Sequence, residues 1–232
     1  MELPLEVVLP TLPEAPDAPV CVLEEISARV SGRVLFEDLS LEVGRCRLAI
    51  VGPNGSGKTT LVEILTGQRR PDGGGARCDS SRIGYVAQNG SNWCSPTSVI
   101  EHLLAHAETT AETVALVLRA HRFPLALAER PLSSLSPGER LRAALICLTQ
   151  RRPAPELLVL DEPTDHLDFL GVAALQAVLA AWPGGLVVVS HDEELLEAVG
   201  VEERLELSPD RGPRLTHTLR SPARPGSASA PC

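Results

Sequence analysis

Short runs of apolar residues alternate with stretches of helical apolar spacing along the middle of the chain. The runs at 47–51, 83–87, 157–160 and 186–189 predict short strands, and the last two are continuously apolar, as is typical of strands covered on both faces. Apolar spacing predicts helices at 59–66, 97–122, 137–150 and 170–182. Because strands and helices alternate, we predict an α/β fold with a mainly parallel sheet and helices on its faces.

Both ends of the chain differ from this alternating body. Residues 1–20 contain prolines at regular intervals and almost no polar periodicity, which predicts an extended leader that does not pack. Residues 211–232 are rich in Pro, Ser, Ala and Arg, which predicts a flexible tail. We expect residues 21–210 to form a single domain.

Composition narrows the class of protein. The chain has 232 residues, of which 44% are hydrophobic and 22% charged, as in ordinary globular proteins. Its net charge of −9 disfavours a free-standing nucleic-acid binder. No apolar run approaches the roughly 20 residues of a membrane helix, and the six cysteines lack metal-ligand spacing. We therefore expect a cytoplasmic protein with reduced thiols and no direct membrane insertion.

The strongest chemical signal is a glycine-rich loop between a predicted strand and a predicted helix. Residues 52–59 match the pattern G-x-x-x-x-G-K-S/T, whose backbone N–H groups converge on phosphate oxygens at a helix N-terminus. Among 21 Lys and Arg residues only Lys58 is a lysine, and it would neutralise the terminal phosphates. A glycine turn beside a surface lysine is the weaker interpretation. The predicted nucleotide-binding residues are Gly52, Pro53, Asn54, Gly55, Ser56, Gly57, Lys58, Thr59 and Thr60.

Two carboxylates follow the predicted strand at 157–160. In a phosphate-loop protein Asp161 would hold Mg²⁺ together with the Thr59 hydroxyl, and Glu162 would orient the attacking water. The next strand would bring His191 to the same edge as a donor to the γ-phosphate. An isolated acidic turn would more often cap a helix or face solvent, so this prediction depends on the loop upstream.

A second helix start has the features of an anion site. Ser136, Pro137 and Glu139 form a capping-box pattern, with Gly138 at the second helical position. An isolated pattern of this kind usually does no more than begin a helix. Because the glycine would leave backbone N–H groups bare, we predict that this terminus faces another ligand or the nucleotide of another subunit.

Together these segments resemble an ATP-binding-cassette (ABC) ATPase domain. Residues 52–59 resemble its Walker A loop and residues 157–162 its Walker B strand. Residues 135–139 resemble the signature L-S-G-G-Q, with Pro137 and Glu139 at the third and fifth positions. The resemblance covers about 21–210 and implies a P-loop NTPase fold of the ABC type, with a small β subdomain and a short helical subdomain at about 91–156.

The resemblance also assigns further residues and partners. Gln88 resembles the Q-loop glutamine, which implies catalytic and metal-binding roles, His191 the switch histidine, and Asp168 the D-loop aspartate. ATP and Mg²⁺ are the implied cofactors. Two cassettes of this family pack head to tail, so that Ser136, Gly138, Glu139 and Asp168 would bind nucleotide held by the other copy. The implied partner is a second cassette, in a homodimer or beside a different cassette.

Residues 161–168 separate two kinds of cassette. They read D-E-P-T-D-H-L-D, closer to the D-E-P-T-N-H-L-D of the ABC-F subfamily than to the D-E-P-T-S-A-L-D of transporter cassettes. This favours a soluble cassette similar to the second cassette of an ABC-F protein, acting on the ribosome and translation or in antibiotic resistance. The acidic balance gives no electrostatic case for RNA, and no second cassette or long charged linker is present. The alternative is the ATPase subunit of an ABC membrane transporter.

Overall fold

A computed structural model of the protein describes residues 9–12, 18–107, 109–208 and 212–217. The strands in these residues are β1 (Cys21–Val30), β2 (Arg33–Val43), β3 (Arg47–Val51), β4 (Gly73–Cys78), β5 (Ile83–Val86), β6 (Leu157–Asp161), β7 (Gly185–Val189), β8 (Glu203–Ser208) and β9 (Gly212–His217). The α-helices are α1 (Lys58–Leu65), α2 (Val99–His106), α3 (Ala111–Ala120), α4 (Leu125–Ala128), α5 (Pro137–Gln150), α6 (Phe169–Ala181) and α7 (Glu193–Ala198). Short 3₁₀ helices span Ser80–Arg82, Gln88–Trp93 and Leu132–Ser134.

A six-stranded sheet forms the centre of the fold. Its strand order is β5-β6-β7-β3-β8-β9, and all neighbouring pairs are parallel except the antiparallel pair of β8 and β9. Every residue of β6 and β7 is buried, which explains their uninterrupted apolar sequences. The predicted α/β class with a mainly parallel sheet is confirmed.

A smaller antiparallel sheet has the order β2-β1-β4. Its inward side chains, among them Ile26 and Leu41, belong to one apolar cluster with Leu61 and Leu65 of α1 and with Ile50 of β3. The small sheet therefore packs on the helix that follows the glycine-rich loop.

Helix α5 joins two further apolar clusters. Its Leu141 and Leu145 pack with residues of β6 and α6, whereas Ile146 and Cys147 pack with residues of α2 and α3. Because α5 is buried on both sides, its position is set jointly by the sheet and by the helices at 99–128.

Parallel pairing brings the carboxyl ends of several strands to one edge. Val189 of β7 pairs with Ile50 of β3 on one side and with Asp161 of β6 on the other, and Val86 of β5 pairs with Leu160 of β6. The loops after β3, β5, β6 and β7 therefore start side by side, at the edge where parallel sheets bind ligands.

The prediction of one continuous helix at 97–122 was wrong. The structure has two helices, α2 and α3, with Ala107 as the C-terminal cap of α2. The side-chain oxygen of Thr110 accepts a hydrogen bond from the backbone N–H of Thr113 and so begins α3 anew. A side-chain cap competes with helix continuation, and apolar spacing does not detect it.

The predicted extents of the leader and of the tail were also partly wrong. Pro10 is buried and Leu9 packs against the cluster that contains Trp182, so residues 9–12 belong to the folded body. At the other end, β9 lies inside the predicted tail and pairs with β8, which precedes the tail. An edge strand needs little apolar sequence because its partner strand supplies the pairing. Residues 1–8, 13–17 and 218–232 lie outside the described residues.

The expectation of reduced thiols was wrong for one pair. Cys21 and Cys78 are disulfide-bonded, and they lie opposite each other on the antiparallel strands β1 and β4. Their separation of 57 residues along the chain hides this pairing. Cys46, Cys94 and Cys147 are free thiols.

Within the described part of the chain, the search for a helix both long and apolar enough to cross a membrane finds none.

Candidate functional site

The glycine-rich loop leaves β3 and enters α1 at the shared sheet edge. Gly52 has a φ of +149°, and a Cβ added there would lie 2.3 Å from the carbonyl oxygen of Leu207. Gly57, with a φ of +100°, is the N-cap of α1, and no side chain caps this helix. The first N–H groups of α1 are therefore free of side-chain acceptors and are suited to an anion.

Lys58 lies over the loop that precedes it. Its ammonium nitrogen donates to the carbonyl oxygens of Gly52 at 2.8 Å and Pro53 at 3.3 Å. Residues 53–55 are exposed, while Ser56 is buried and its hydroxyl has no hydrogen-bond partner. Thr60 is half-buried in the first turn of α1. The loop thus holds a cation, free N–H groups and an unpaired hydroxyl within a few residues.

Thr59 and Asp161 meet across the edge. The Thr59 hydroxyl donates to a carboxylate oxygen of Asp161 at 3.2 Å, although the two residues are 102 positions apart. Asp161 is buried at the end of β6. Burial raises the pKa of its carboxyl group, and the hydrogen bond from Thr59 opposes that rise. Two oxygen side chains beside a phosphate loop form a donor set that fits Mg²⁺.

Glu162 is the first residue of the loop after β6, and its backbone N–H donates to the carbonyl oxygen of Val189 of β7 at 2.9 Å. Its φ of +45° turns the side chain away from the direction that β6 would continue. One carboxylate oxygen lies 3.3 Å from Nδ1 of His191 without hydrogen-bond geometry. Burial raises the pKa of the Glu162 carboxyl group, whereas His191 lowers it. His191 is exposed, with 81% of its side chain accessible.

Gln88 reaches the same place from the end of β5. Its side-chain amide donates to a carboxylate oxygen of Asp165 at 3.1 Å. Asp165 follows Asp161 and Glu162 in the same loop, and its charge contributes to the raised pKa of both. The edge therefore carries three carboxylates beside the phosphate loop.

The start of α5 is closed by its own side chains. The Glu139 carboxylate accepts from the backbone N–H and from the hydroxyl of Ser136, both at 2.8 Å, and the Ser136 hydroxyl accepts from the Glu139 N–H. These bonds lower the pKa of the Glu139 carboxyl group. The predicted capping box is therefore formed, and it uses the backbone N–H groups of Ser136 and Glu139, so neither of these two is bare.

The remaining predicted residues lie beside this helix start. A Cβ added to Gly138 would lie 2.9 Å from the Leu167 side chain, so α5 begins against the loop after β6. Asp168 caps α6 by accepting from the backbone N–H of Gly171 at 2.8 Å. Among the described residues no hydrogen bond or ion pair joins 136–139 to 52–59. Within one chain, hydrogen bonds and close contacts thus link the residues of the sheet edge, whereas none of the bonds among the described residues links the helix start of α5 to the loop.

Sequence reasoning missed two residues of this region. Asp165 was not among the site residues predicted from the sequence. A signal was present, because the motifs that residues 161–168 resemble have Ser or Asn at this place. Arg140 donates to the carbonyl oxygens of Leu135 at 2.8 Å and Asn89 at 3.3 Å, and so joins the start of α5 to the segment after Gln88. No local pattern marks an arginine that binds backbone carbonyls.

The chain matches known proteins over most of its length. The family model of the ABC transporter matches residues 36–165. An ATP-binding protein Uup-like of Haemophilus influenzae is 32% identical over 78% of this chain and 40% of the relative. The uncharacterized ABC transporter ATP-binding protein YfmR of Bacillus subtilis is 34% identical over 76% of this chain and 29% of the relative. ABC transporter F family member 4 of Arabidopsis thaliana is 33% identical over 80% of this chain and 27% of the relative. The chain thus spans 27–40% of these relatives' own length.

Solved structures share the fold at lower sequence identity. A dimeric ATP-binding cassette in a post-hydrolysis state, bound to ADP and Pi, has a TM-score of 0.68 at 19% identity, over 85% of this chain and 98% of that chain. An inward-facing metal-chelate type ABC transporter has a TM-score of 0.67 at 23% identity, over 86% of this chain and 83% of that chain. The α/β fold, with its mainly parallel sheet and small antiparallel sheet, is that of these ATPase domains.

Proposed function

The chain belongs to the ABC transporter ATPase family, and from this premise we propose that it binds and hydrolyses Mg²⁺-ATP and thereby closes and reopens a pair of cassettes. The observation that carries the proposal is the convergence at one sheet edge of the phosphate loop, the Thr59–Asp161 pair and the Glu162–His191 pair. Each pair joins residues that follow different strands of the sheet, Thr59 after β3, Asp161 and Glu162 at the end of β6 and His191 after β7, so the fold brings them together.

Phosphate binding falls to residues 52–60. The uncapped N-terminus of α1 offers N–H groups and a positive partial charge, and Lys58 adds a full charge. The Lys58 ammonium donates to the carbonyl oxygens of Gly52 and Pro53, which places its charge at the loop. Binding of a triphosphate would exchange these carbonyl contacts for stronger bonds to phosphate oxygens.

Thr59, Asp161 and Gln88 are the residues that would hold Mg²⁺, which supplies charge neutralisation at the phosphates when bound. The hydroxyl of Thr59 and the carboxylate of Asp161 already face each other. A carboxylate whose pKa burial raises gains most from a nearby cation, because the cation offsets the lost solvation of the charge. Gln88 would bind through its side-chain oxygen, because its amide nitrogen is the atom that donates to Asp165.

Glu162 and His191 are the residues that would act on the reacting groups. A mostly buried carboxylate with a raised pKa can orient a water molecule and accept its proton. The exposed His191 ring, whose Nδ1 lies 3.3 Å from Glu162, would donate to the terminal phosphate. The two residues thus divide proton acceptance and charge stabilisation between them.

The second half of the site would come from another cassette. Ser136, Gly138, Glu139 and Asp168 are not joined to the phosphate loop of their own chain among the described residues. Beside Asp168, Phe169 and Leu170 expose 85% and 70% of their surface, which is unusual for large apolar residues unless a partner covers them. The solved cassette of the same fold that holds ADP and Pi is a dimer. A head-to-tail pair, as a homodimer or with a different cassette, would cover these residues.

The test compares Glu162→Gln with the wild-type chain by ATPase assay and sedimentation. We expect Glu162→Gln to lose at least about 100-fold in turnover while it still binds ATP, and to accumulate as a dimer with ATP. Glu197→Gln, which changes an exposed glutamate on α7, is the matched control and should behave like the wild type. Normal turnover in Glu162→Gln would contradict the role of Glu162, and a monomer at all ATP concentrations would contradict the pairing.

We propose further that the cassette acts as an ABC-F protein does, on the ribosome and translation or in antibiotic resistance. The motif at 161–168 and the similarity to ABC transporter F family member 4 support this proposal. Pelleting of Glu162→Gln with purified ribosomes in the presence of ATP, but not of ADP, is the expected result. Recovery with membranes instead would favour the ATPase subunit of a transporter.

A further inference from the structure

The net charge of −9 conceals an uneven distribution of charge along the chain. Residues 111–152, which run from the start of α3 to just beyond α5, contain seven arginines and three glutamates. The rest of the chain contains 27 acidic and 14 basic residues. A basic segment within an acidic protein is typical of a surface that meets a polyanion.

The arginines of this segment are not paired in the way that several arginines elsewhere are. Arg77 on β4, for example, lies 2.8 Å from a carboxylate oxygen of Glu24. Among the described residues, by contrast, no ion pair joins Arg119, Arg130 or Arg142 to a carboxylate. Their positive charges therefore remain available to a partner.

Contacts of Arg142 bring the end of α3 to the start of α5. Its guanidinium donates to the carbonyl oxygen of Arg122 at 3.1 Å and lies 5.6 Å from the centroid of the Phe123 ring. The backbone N–H of Arg122 in turn donates to the carbonyl oxygen of Arg119, in the last turn of α3. Arg119 and Arg122 are both exposed. Three arginines from α3, α5 and the turn after α3 thus lie close together.

Arg130 adds a fourth charge from the segment that precedes α5. The bonds from Ser136, and after them the charges of Arg130 and Arg142, lower the pKa of the Glu139 carboxyl group, so both arginines lie near the first turn of α5. Arg130 is exposed, and it donates to the carbonyl oxygen of Ser134 at 2.8 Å. The arginine cluster comprises Arg119, Arg122, Arg130 and Arg142.

Three members of the arginine cluster keep guanidinium N–H groups that bind nothing within the described part of the chain. Arg119 makes no side-chain hydrogen bond there, and Arg130 and Arg142 each donate through one nitrogen. A guanidinium has five N–H groups in a planar fork that fits two phosphate oxygens at once. The cluster can therefore bind phosphate without first breaking its own contacts.

We propose that the arginine cluster is a binding surface for the phosphates of RNA. The choice of RNA rests on the proposed role on the ribosome, whereas the cluster itself follows from the contacts of this chain. Closely spaced phosphodiesters match several guanidinium forks, and their binding releases counterions, so affinity should depend steeply on salt. The acidic remainder of the chain repels RNA and so confines the contact to this face.

Fluorescence anisotropy with a labelled single-stranded RNA of about 20 nucleotides tests this surface without ATP and without ribosomes. For the wild-type chain, the logarithm of affinity should fall with the logarithm of salt concentration at a slope of about −2 to −3. Arg119→Ala and Arg130→Ala should each weaken binding about threefold and make the slope shallower by about 0.7, because each removes one phosphate contact. The double variant should lose about tenfold.

Arg77→Ala is the matched control, because it removes the same charge from an exposed arginine that is paired with Glu24. This control should change RNA affinity less than about twofold. Absence of RNA binding at low salt, a slope unchanged in the double variant, or an equal loss in Arg77→Ala would overturn the proposal.

Vesicles of phosphatidylserine distinguish RNA from a membrane as the source of phosphate. We expect the wild-type chain to bind the RNA and not the vesicles at the same salt concentration. Vesicle binding that equals or exceeds RNA binding and that needs Arg119 and Arg130 would overturn the proposal. Failure of the ribosome pelleting experiment would contradict the ribosomal role alone, because the RNA assay contains neither ribosomes nor ATP.

Discussion

The N-termini of α1 and α5, both of which we propose to meet phosphate, are built in opposite ways. The α1 terminus has Gly57 as its cap, no side-chain acceptor and a lysine at its first residue. The α5 terminus has Ser136 as its cap, a complete capping box and the carboxylate of Glu139 bound across it. One terminus is left open and carries a cation, whereas the other is closed and carries an anion.

The difference shows which terminus can act alone. Open N–H groups and an ammonium can bind a triphosphate within one chain. A closed capping box has satisfied its own donors, so an anion must displace the Glu139 carboxylate or use the remaining donors in a close contact. We infer that α1 supplies affinity and that α5 responds only when a partner presents the nucleotide. The following predictions test this division, beginning with the largest expected effect.

Removing the cation of α1 should have the largest effect. Lys58→Ala deletes the only lysine of the chain and should weaken ATP binding at least about 100-fold, because charge-assisted bonds to phosphate are lost. Isothermal titration of the monomer with Mg²⁺-ATP measures the change. Unchanged affinity would show that α1 is not the phosphate-binding terminus.

Adding one methyl group should distinguish the two glycines. Gly52→Ala places a Cβ against the Leu207 carbonyl at a φ of +149°. This variant should lose about 2–3 kcal/mol of unfolding free energy and should also lose nucleotide binding. Gly138→Ala meets the end of the Leu167 side chain at 2.9 Å, which can shift, and the backbone oxygen of His166 at 3.4 Å, so monomer binding should remain. Urea denaturation and titration of both variants provide the comparison. Equal losses in the two variants would contradict the division.

A bulky side chain at the start of α5 should separate binding from pairing. Ser136→Arg blocks close approach of this terminus to a partner, so ATP-dependent dimers should weaken at least about tenfold while the monomer still binds ATP. Sedimentation with ATP in a Glu162→Gln background measures the dimer. Ser80→Arg adds the same charge to an exposed serine outside the motifs and should leave the dimer intact. Intact dimers in Ser136→Arg would count against the shared site.

The smallest effect should be a dependence of stability on pH. Hydrogen bonds from Ser136 lower the pKa of Glu139 in the folded chain below its unfolded value of 4.5. The capping box therefore stabilises the fold above about pH 4.5, and this contribution is lost as the pH falls through the lower folded pKa. Because Glu139 is only half-buried, we expect less than about 1 kcal/mol. Denaturation at pH 6 and at pH 3 should show this loss in the wild type and its absence in Glu139→Gln. An identical loss in both proteins would show that groups other than Glu139 cause the loss of stability.

Much of the fold was predictable because its signals are local. The strand at 47–51 and the helix at 137–150 were predicted with the bounds that the structure has, since both have clear apolar patterns and definite ends. The small antiparallel sheet was implied only by family resemblance, because β1 and β2 alternate imperfectly and contain irregular pairings. Strand β9 was missed, since its sequence resembles a tail and its order comes from β8.

The candidate site was predictable as a set of residues but not as a set of contacts. Residues 52–59 and 157–162 are contiguous patterns, so their chemistry could be recognised without knowing the fold. The Cys21–Cys78 pair and the Gln88–Asp165 contact join residues far apart, and no local rule predicts them. Their partners depend on strand order.

By itself, the sequence determined the fold class, the phosphate loop and the identity of the acidic strand-end residues, because short-range sterics and apolar periodicity act within a few residues. Only the tertiary structure decided which distant residues meet, such as Cys21 with Cys78 and Gln88 with Asp165. The first contact depends on β1 pairing with β4, and the second on β5 pairing beside β6. Both join residues far apart in the sequence, so they form only when the whole chain has packed.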